Sequence, residues 1–232
     1  MSKKKNIIIT GNTSGIGLEL NKILSDKNNL FGISKSKSLL KNSVQVKVDF
    51  NNLNLLEKKI IKMKLPKKID FLILNAGILG RIKRIEKLSL DQFLEVLKIN
   101  FLSNKVIIDS LIKKKIIIKN VIALSSGAAK SGKDGWALYC TSKSAFYQLI
   151  NVYALEFNKI KFINLAPGLA KTKMQEQIFK VKDKKIKSVK KFQDLYKSNL
   201  ISDPKIIAQN IIKFLDKIKK IKTGSFIDLR HF

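Results

Sequence analysis

The chain has 232 residues, 45% of them apolar, enough for one α/β domain with a sizeable core. Its only cysteine, Cys140, rules out an intrachain disulfide or a cysteine-rich zinc site, and its only histidine, His231, rules out a histidine-based nucleophilic centre in the body of the chain. The net charge is +30, but only Arg81, Arg84 and Arg230 are arginine; scattered lysine reads as a solvated basic surface and argues against nucleic acid as a partner.

In chain order, apolar runs alternate with amphipathic stretches. Asn6–Thr10 reads as a strand ending at Gly11, and Ile16–Leu24 as a helix. Strands follow at Asn29–Ser34 and Val44–Phe50, then a helix at Leu53–Lys64. Phe71–Asn75 is the fourth strand, halted by Ala76-Gly77. Leu90–Lys113 supports one long helix, Ile116–Ser125 a strand, and Leu138–Asn158 a second long helix. Lys161–Leu165 is a strand stopped by Pro167-Gly168. Asp203 and Pro204 open a helix running to about Lys217, and Gly224–Leu229 is a last strand. Continuous apolar strands separated by helices predict an α/β fold: one doubly wound Rossmann-type domain over residues 1–232, with a central parallel sheet of about seven strands. Residues 171–200 are the least regular stretch, carry the densest lysine run (Lys180 to Lys191), and follow a strand's carboxyl end; we expect a mobile substrate flap there. The opening apolar run is three residues, too short for a signal peptide, and no stretch approaches a membrane span, so a soluble, cytoplasmic protein is expected.

The turn Thr10-Gly11-Asn12-Thr13-Ser14-Gly15-Ile16-Gly17 joins the first strand to the first helix. Gly11 allows a tight turn, Gly15 lets backbone approach a diphosphate at the helix N-terminus, and Gly17 lets helix and strand pack closely. The spacing is G-x-x-x-G-x-G, and its place between strand and helix points to a dinucleotide. The second strand ends in Phe31-Gly32-Ile33-Ser34-Lys35-Ser36-Lys37, without the acid that would hold a ribose 2′-hydroxyl. Lys35 and Ser36 suit a 2′-phosphate, so NADP(H) is expected ahead of NAD(H).

Tyr139 and Lys143 stand four apart on one helix face. A neighbouring ammonium and a positively charged nicotinamide both favour phenolate, which predicts a lowered Tyr139 pKa and a general acid/base. Ser126, at the end of an apolar strand, is placed to hold a carbonyl oxygen.

With these motifs the sequence resembles the short-chain dehydrogenase/reductase family over nearly its whole length. The resemblance rests on Thr10–Gly17, Asp49, Asn75-Ala76-Gly77, Asn100, Ser126, Tyr139/Lys143 and Pro167–Thr172. It implies Tyr139 as general acid/base, Lys143 on the nicotinamide ribose, Ser126 orienting the substrate, and Asn100 supporting a water relay to Lys143. It implies cofactor contacts from Gly11, Thr13, Ser14, Gly15, Ile16, Gly17, Lys35, Asp49, Phe50, Asn75, Ala76, Gly77, Pro167, Gly168 and Thr172, together with Tyr139 and Lys143. Ser14 departs from the family, whose NADP-preferring members often carry arginine there. Gly135–Cys140 and Ala166–Gln175, with Phe192–Leu195 and Gly224–Asp228 downstream, look like the sepiapterin reductase and benzil reductase branch. That likeness maps a pterin-anchoring acid onto Asp228, with a plain strand-end acid as the alternative, and makes Trp136 a pocket wall. The implied activity is reduction of a small carbonyl compound, a ketone, diketone or pterin side chain. A 3-oxoacyl carrier-protein reductase is the alternative, and a non-catalytic NADP-sensing or nucleic-acid-binding protein a third. The family also implies a homodimer or homotetramer built through the two long helices, and no metal.

Overall fold

The computed structural model describes residues 4–36, 43–183, 185–198 and 200–232. Lys37, at the end of the predicted cofactor segment, and Lys184 and Asn199, inside the predicted flap, lie outside the described residues.

Seven parallel strands form one sheet in the order β3-β2-β1-β4-β5-β6-β7. They are β1 Asn6–Thr10, β2 Asn29–Ser34, β3 Ser43–Lys47, β4 Lys68–Leu74, β5 Ile117–Leu124, β6 Lys161–Ala166 and β7 Phe226–Asp228. The helices are α1 Gly15–Ser25, α2 Leu53–Lys62, α3 Leu90–Leu97, α4 Ser103–Lys113, α5 Ala137–Glu156, α6 Lys173–Phe179, α7 Lys187–Lys197 and α8 Pro204–Lys217. This is the expected doubly wound arrangement. The strand order reverses between β1 and β4, and ligands of such sheets bind beyond the carboxyl ends of the strands at that reversal.

Alternation along each strand sends side chains to two separate cores. Ile8, Leu72, Val121 and Phe162 pack with α2, α4 and α5 on one face, where Tyr153 stacks on Phe162 with centroids 5.5 Å apart. Ile7, Ile9, Phe71, Ile73, Ile122 and Ile163 pack with α1 and α8 on the other. Because both faces are covered, the central strands read as continuous apolar runs. The last helix starts as expected, with the Asp203 carboxylate accepting from the Lys205 N–H (2.7 Å) and Pro204 in the first turn.

Several elements differ from expectation. The last strand is Phe226–Asp228, half the expected length, because Leu229–His231 wind into a 3₁₀ turn closed by the Asp228 carboxylate accepting from the Arg230 N–H. The predicted third strand stops at Lys47, before Val48, Asp49 and Phe50, which turn toward α2 and bring Asp49 to the sheet's edge. The fourth begins three residues early: Lys68 and the buried Ile69 pair with Ile117 and Ile118 of β5, and Asp70 accepts from the Asn6 N–H (3.0 Å). The long helix from Leu90 is broken by a π-helical turn at Lys98–Leu102. The predicted flap is more regular than expected: it holds α6 and α7, whose Ile178 and Val189 are buried.

Candidate active site

The carboxyl ends of the strands open into a cleft of about 960 Å³. At one end, β1 turns at Gly11 (φ +66°), whose N–H donates to the Ile33 carbonyl (2.8 Å), and enters α1 at Gly15 (φ +52°). A Cβ on Gly11 would lie 3.0 Å from the Ala76 backbone, and one on Gly15 would lie 3.1 Å from Thr172 Cγ2. Gly17 faces away from the cleft, and a Cβ there would stand 2.3 Å from the Gly11 carbonyl oxygen, so it serves the predicted close packing. Ser14 makes no side-chain cap bond, and the first turn of α1 holds no acid. Its N–H groups are thereby left for an anion, the geometry a diphosphate requires. Thr13, Ser14, Gly15 and Ile16 line this end.

The two rims at the reversal point are locked together. Thr10 Oγ1 accepts from the N–H groups of Asn75 (2.9 Å) and Ala76 (3.0 Å), and Asn75 Nδ2 donates to the carbonyls of Thr10 (2.9 Å) and Gly11 (3.1 Å). Asn75, Ala76 and Gly77 line the floor, as expected.

Lys35, Ser36, Asp49 and Phe50 line the far end. Lys35 is not a free cation there: its Nζ lies 2.7 Å from Asp49 Oδ2. The hydrogen bond from Lys35 holds the Asp49 carboxyl below its usual range, and the same bond raises the Lys35 pKa. A 2′-phosphate would have to share Lys35 with Asp49.

Ser126, Tyr139 and Lys143 come together at the middle of the cleft. The helical spacing does set Tyr139 and Lys143 side by side, with the ammonium 5.8 Å from the phenol ring centre. The lowering expected of the phenol pKa counts a bound nicotinamide as well as the ammonium, and the protein's own groups act the other way. Burial pushes Tyr139 up to about 12, and a hydrogen bond with Ser126 is the one influence pulling it down. Burial also pushes Lys143 down to about 8, and its Nζ donates to the Leu124 carbonyl (2.7 Å). The ammonium thus answers first to a backbone oxygen at the end of β5.

Asn100 sits fully buried inside the π-helical turn, and its side chain is spent. Oδ1 accepts from the Ile78 N–H (2.8 Å), while Nδ2 donates to the Ile78 carbonyl (2.8 Å) and to Ser142 Oγ (2.9 Å). These bonds tie the segment after β4 to α5, one residue from Lys143. The Asn100 carbonyl oxygen accepts from Asn104 Nδ2 (2.8 Å). A π-turn marking a functional position is a known pattern, which helical periodicity does not reveal.

Pro167, Gly168 and Thr172 line the cleft beyond Ser126, Tyr139 and Lys143. Trp136 is a wall residue: its ring stands edge-on to Tyr139 (6.1 Å between centroids) and tilted against Phe192 of α7 (4.7 Å). Leu79, Ala128, Cys140 and Ile178 complete this third apolar cluster, separate from the two cores of the sheet. Cys140 is packed, and burial raises its thiol pKa. Asp228 reaches the cleft but not as a free acid. Arg230 Nε donates to both its oxygens (2.9 and 3.2 Å) and Nη2 lies 2.5 Å from Oδ2, which holds the carboxyl below its usual range. Arg230 was not anticipated, and neither was buried Gln175, which lines the cleft with Oε1 unpartnered among the described residues.

The cleft is therefore an elongated trough with an anion-ready helix terminus at one end and a serine, a phenol and an ammonium beside an aromatic wall. The short-chain dehydrogenase family model matches residues 5–183, and the chain belongs to that family. A benzil reductase, (S)-benzoin forming, of Bacillus subtilis (strain 168) is 27% identical over 243 residues, covering 97% of this chain and 98% of its own. A 3-oxoacyl-[acyl-carrier-protein] reductase of Buchnera aphidicola is 30% identical over 192 residues, 75% of this chain and 77% of its own. Among solved structures, a short-chain dehydrogenase family protein of Francisella tularensis superposes with a TM-score of 0.83 at 24% identity, over 97% of each chain. The chain is thus an oxidoreductase on a fold that binds a nicotinamide cofactor, with relatives in the benzil and sepiapterin reductase branch. Among the described residues no helix is long and apolar enough to cross a membrane, and no cluster of metal-ligating side chains occurs.

Proposed function

We propose that this protein is an NADP(H)-dependent carbonyl reductase acting on a small ketone or diketone with an aromatic or otherwise apolar flank. The observation that carries the reading is the convergence of Ser126, Tyr139 and Lys143 midway between the α1 terminus and the Trp136–Phe192 wall. The α1 terminus and the glycine turn would hold the diphosphate, Asp49 and Phe50 would border the adenine, and Lys35 with Ser36 would meet a 2′-phosphate. A bound reduced nicotinamide supplies the hydride.

The protein's own groups do the rest. The Ser126 hydroxyl donates to the carbonyl oxygen and holds it beside Tyr139. A phenol near pKa 12 stays protonated at neutral pH, the form needed to donate a proton as negative charge grows on that oxygen. Lys143, already costly to keep charged, gains a phenolate neighbour when the proton leaves, so its charge favours the transfer most at the moment of reaction. Asn100 acts by position, clamping the segment after β4 to α5. α6 and α7 form the lid of the substrate end, in the role given to the flap.

The aromatic wall and the benzil reductase relatives favour a diketone. The pairing of Asp228 with Arg230 disfavours the pterin-anchor reading, because the carboxylate has a charged partner already. A 3-oxoacyl carrier-protein reductase is the second reading, favoured by the basic lid helix with Lys187, Lys190 and Lys191. Exposed Leu90, Leu94, Val152 and Leu155 on α3 and α5 support self-association through those helices. The deciding experiment follows NADPH absorbance with benzil, sepiapterin and a 3-oxoacyl thioester. Tyr139→Phe is expected to keep NADPH binding and lose about 10²–10⁴-fold in turnover. Wild-type turnover by that variant on every carbonyl refutes the mechanism.

A further inference from the structure

The lid helix α7 begins at Lys187 without a side-chain cap from its own segment. The cap comes from 53 residues earlier in the chain. One carboxylate oxygen of Asp134 accepts from the Lys187 N–H (2.7 Å), and the other accepts from the Ser188 N–H (2.9 Å) and from Ser188 Oγ. Three donors from the first turn of one helix thus converge on a single acid, which also complements the positive end of that helix. Asp134 sits two residues before Trp136, in the loop leading into α5. The neighbouring Gly135 adopts φ +77°, and a Cβ there would lie 2.7 Å from Ile186 Cγ2, so the loop and the entry to α7 are pressed together.

The consequence lies one turn further along α7. Phe192 packs tilted against Trp136 at 4.7 Å, and Gln193 Nε2 donates to the carbonyls of Phe179 (3.0 Å) and Val181 (2.8 Å), tying α7 to the end of α6. α6 is held in turn by Gln177 Nε2 on the Gly80 carbonyl (2.7 Å). Asp134 is the link that fixes α7 directly to the loop bearing the Trp136 wall.

We infer that Asp134 is a positioning residue for substrate: its carboxylate pins the start of α7 to the catalytic loop, so that Phe192 closes the aromatic wall on which a substrate's ring rests. The inference rests on the carbonyl-reductase reading and deepens it, since it assigns selectivity for an aryl-flanked carbonyl to a residue that does not line the cleft. A substrate without a ring makes no use of Phe192 and is indifferent to the latch.

Trp136 is the chain's only tryptophan, so its fluorescence reports on the Phe192 contact directly. Asp134→Ala is expected to shift the Trp136 emission and increase its quenching by acrylamide. It is also expected to raise KM for benzil about tenfold, the effect of losing a helix cap worth about 1.4 kcal/mol. The kcat for benzil, and both constants for 2,3-butanedione, should stay within about twofold, a range typical of changes remote from the reacting atoms. Phe192→Ala should likewise raise KM for benzil and increase quenching, and the double variant should bind benzil no worse than either single one, because both remove one contact. If Asp134→Ala fails to fold by circular dichroism, Ser188→Ala removes one of the three bonds and is read in the same assays with the same direction expected. Unchanged quenching overturns the inference, as does an equal loss of kcat on both diketones. If the wild type reduces neither diketone, the diketone reading fails, and the quenching comparison still decides whether Asp134 holds Phe192 on Trp136.

Discussion

Lys143 offers a test of the site that needs no substrate. The side chain is buried, with 5% of its surface exposed, and its pKa falls from 10.5 to about 8 because burial penalises the charged form. Between those values the unfolded chain keeps a proton that the folded chain has lost, so folding stability rises with pH across the window. A shift of this size corresponds to about 3 kcal/mol of destabilisation at neutral pH, at about 1.4 kcal/mol per pH unit. Lys143→Met keeps most of the volume and removes the charge. It also removes the donor to the Leu124 carbonyl, which costs about 1–3 kcal/mol whatever the pH. The two effects nearly cancel at pH 7, so the sign of the difference there is uninformative, but its pH dependence is diagnostic. Groups common to both proteins drop out of the comparison. From pH 7 to pH 10 the wild type should gain about 2 kcal/mol relative to Lys143→Met, or about 4–8 °C in relative Tm for a chain of this size. The assay is thermal unfolding of both proteins, without added nucleotide, at half-unit steps of pH. A difference that stays flat over that range, or moves against the wild type, shows that Lys143 is not a buried ammonium held at the expense of the fold, and the account of its role fails with it.

Lys35→Ala is expected to reduce the preference for NADPH over NADH in kcat/KM about tenfold, the size of one lost charge-assisted contact. Asp49→Asn should move it the other way by releasing Lys35; wild-type preference for NADH defeats both expectations. Gly17→Ala forces a methyl group to within 2.3 Å of the Gly11 oxygen and 2.4 Å of Asn75 Nδ2. It should cost about 3 kcal/mol and lower Tm by about 6–12 °C. Gly132→Ala, where a Cβ meets nothing within 4 Å, is the control and should change stability by no more than about 0.5 kcal/mol. Equal melting temperatures for the two alanine variants would show that the β1–α1 contact is looser than described.

The cores of the strands were legible because both faces of the sheet are covered. Asn6–Thr10 and Asn29–Ser34 appear with the ends expected from their apolar runs. The trough was legible for a related reason: a glycine turn between a buried strand and a helix leaves few other uses for its N–H groups. Helical periodicity was less complete. It cannot distinguish a continuous helix from one carrying a single π-turn, so the turn at Lys98–Leu102 was hidden, and with it the side-chain bonds that occupy Asn100. In residues 171–200 the apolar positions are sparse among lysines, and Ile178 and Phe192 face the cleft cluster instead of the sheet, which concealed α6 and α7.

The remaining differences share one physical cause. Sequence spacing states which side chains lie near one another, while the charge behaviour of a group depends on its third partner. Tyr139 and Lys143 are neighbours as their spacing requires, yet the ammonium is engaged by Leu124 and burial governs the phenol. Lys35 stands where a 2′-phosphate would lie, yet Asp49, fourteen residues away, holds it. Asp228 reaches the cleft, yet Arg230 neutralises it. In each pair the residue was located from the sequence and its electrostatic state was not, because that state is set by contacts made only when the chain has folded. Substitution at the third partner therefore separates placement from charge: altering Asp49 leaves Lys35 in position and changes what it can bind.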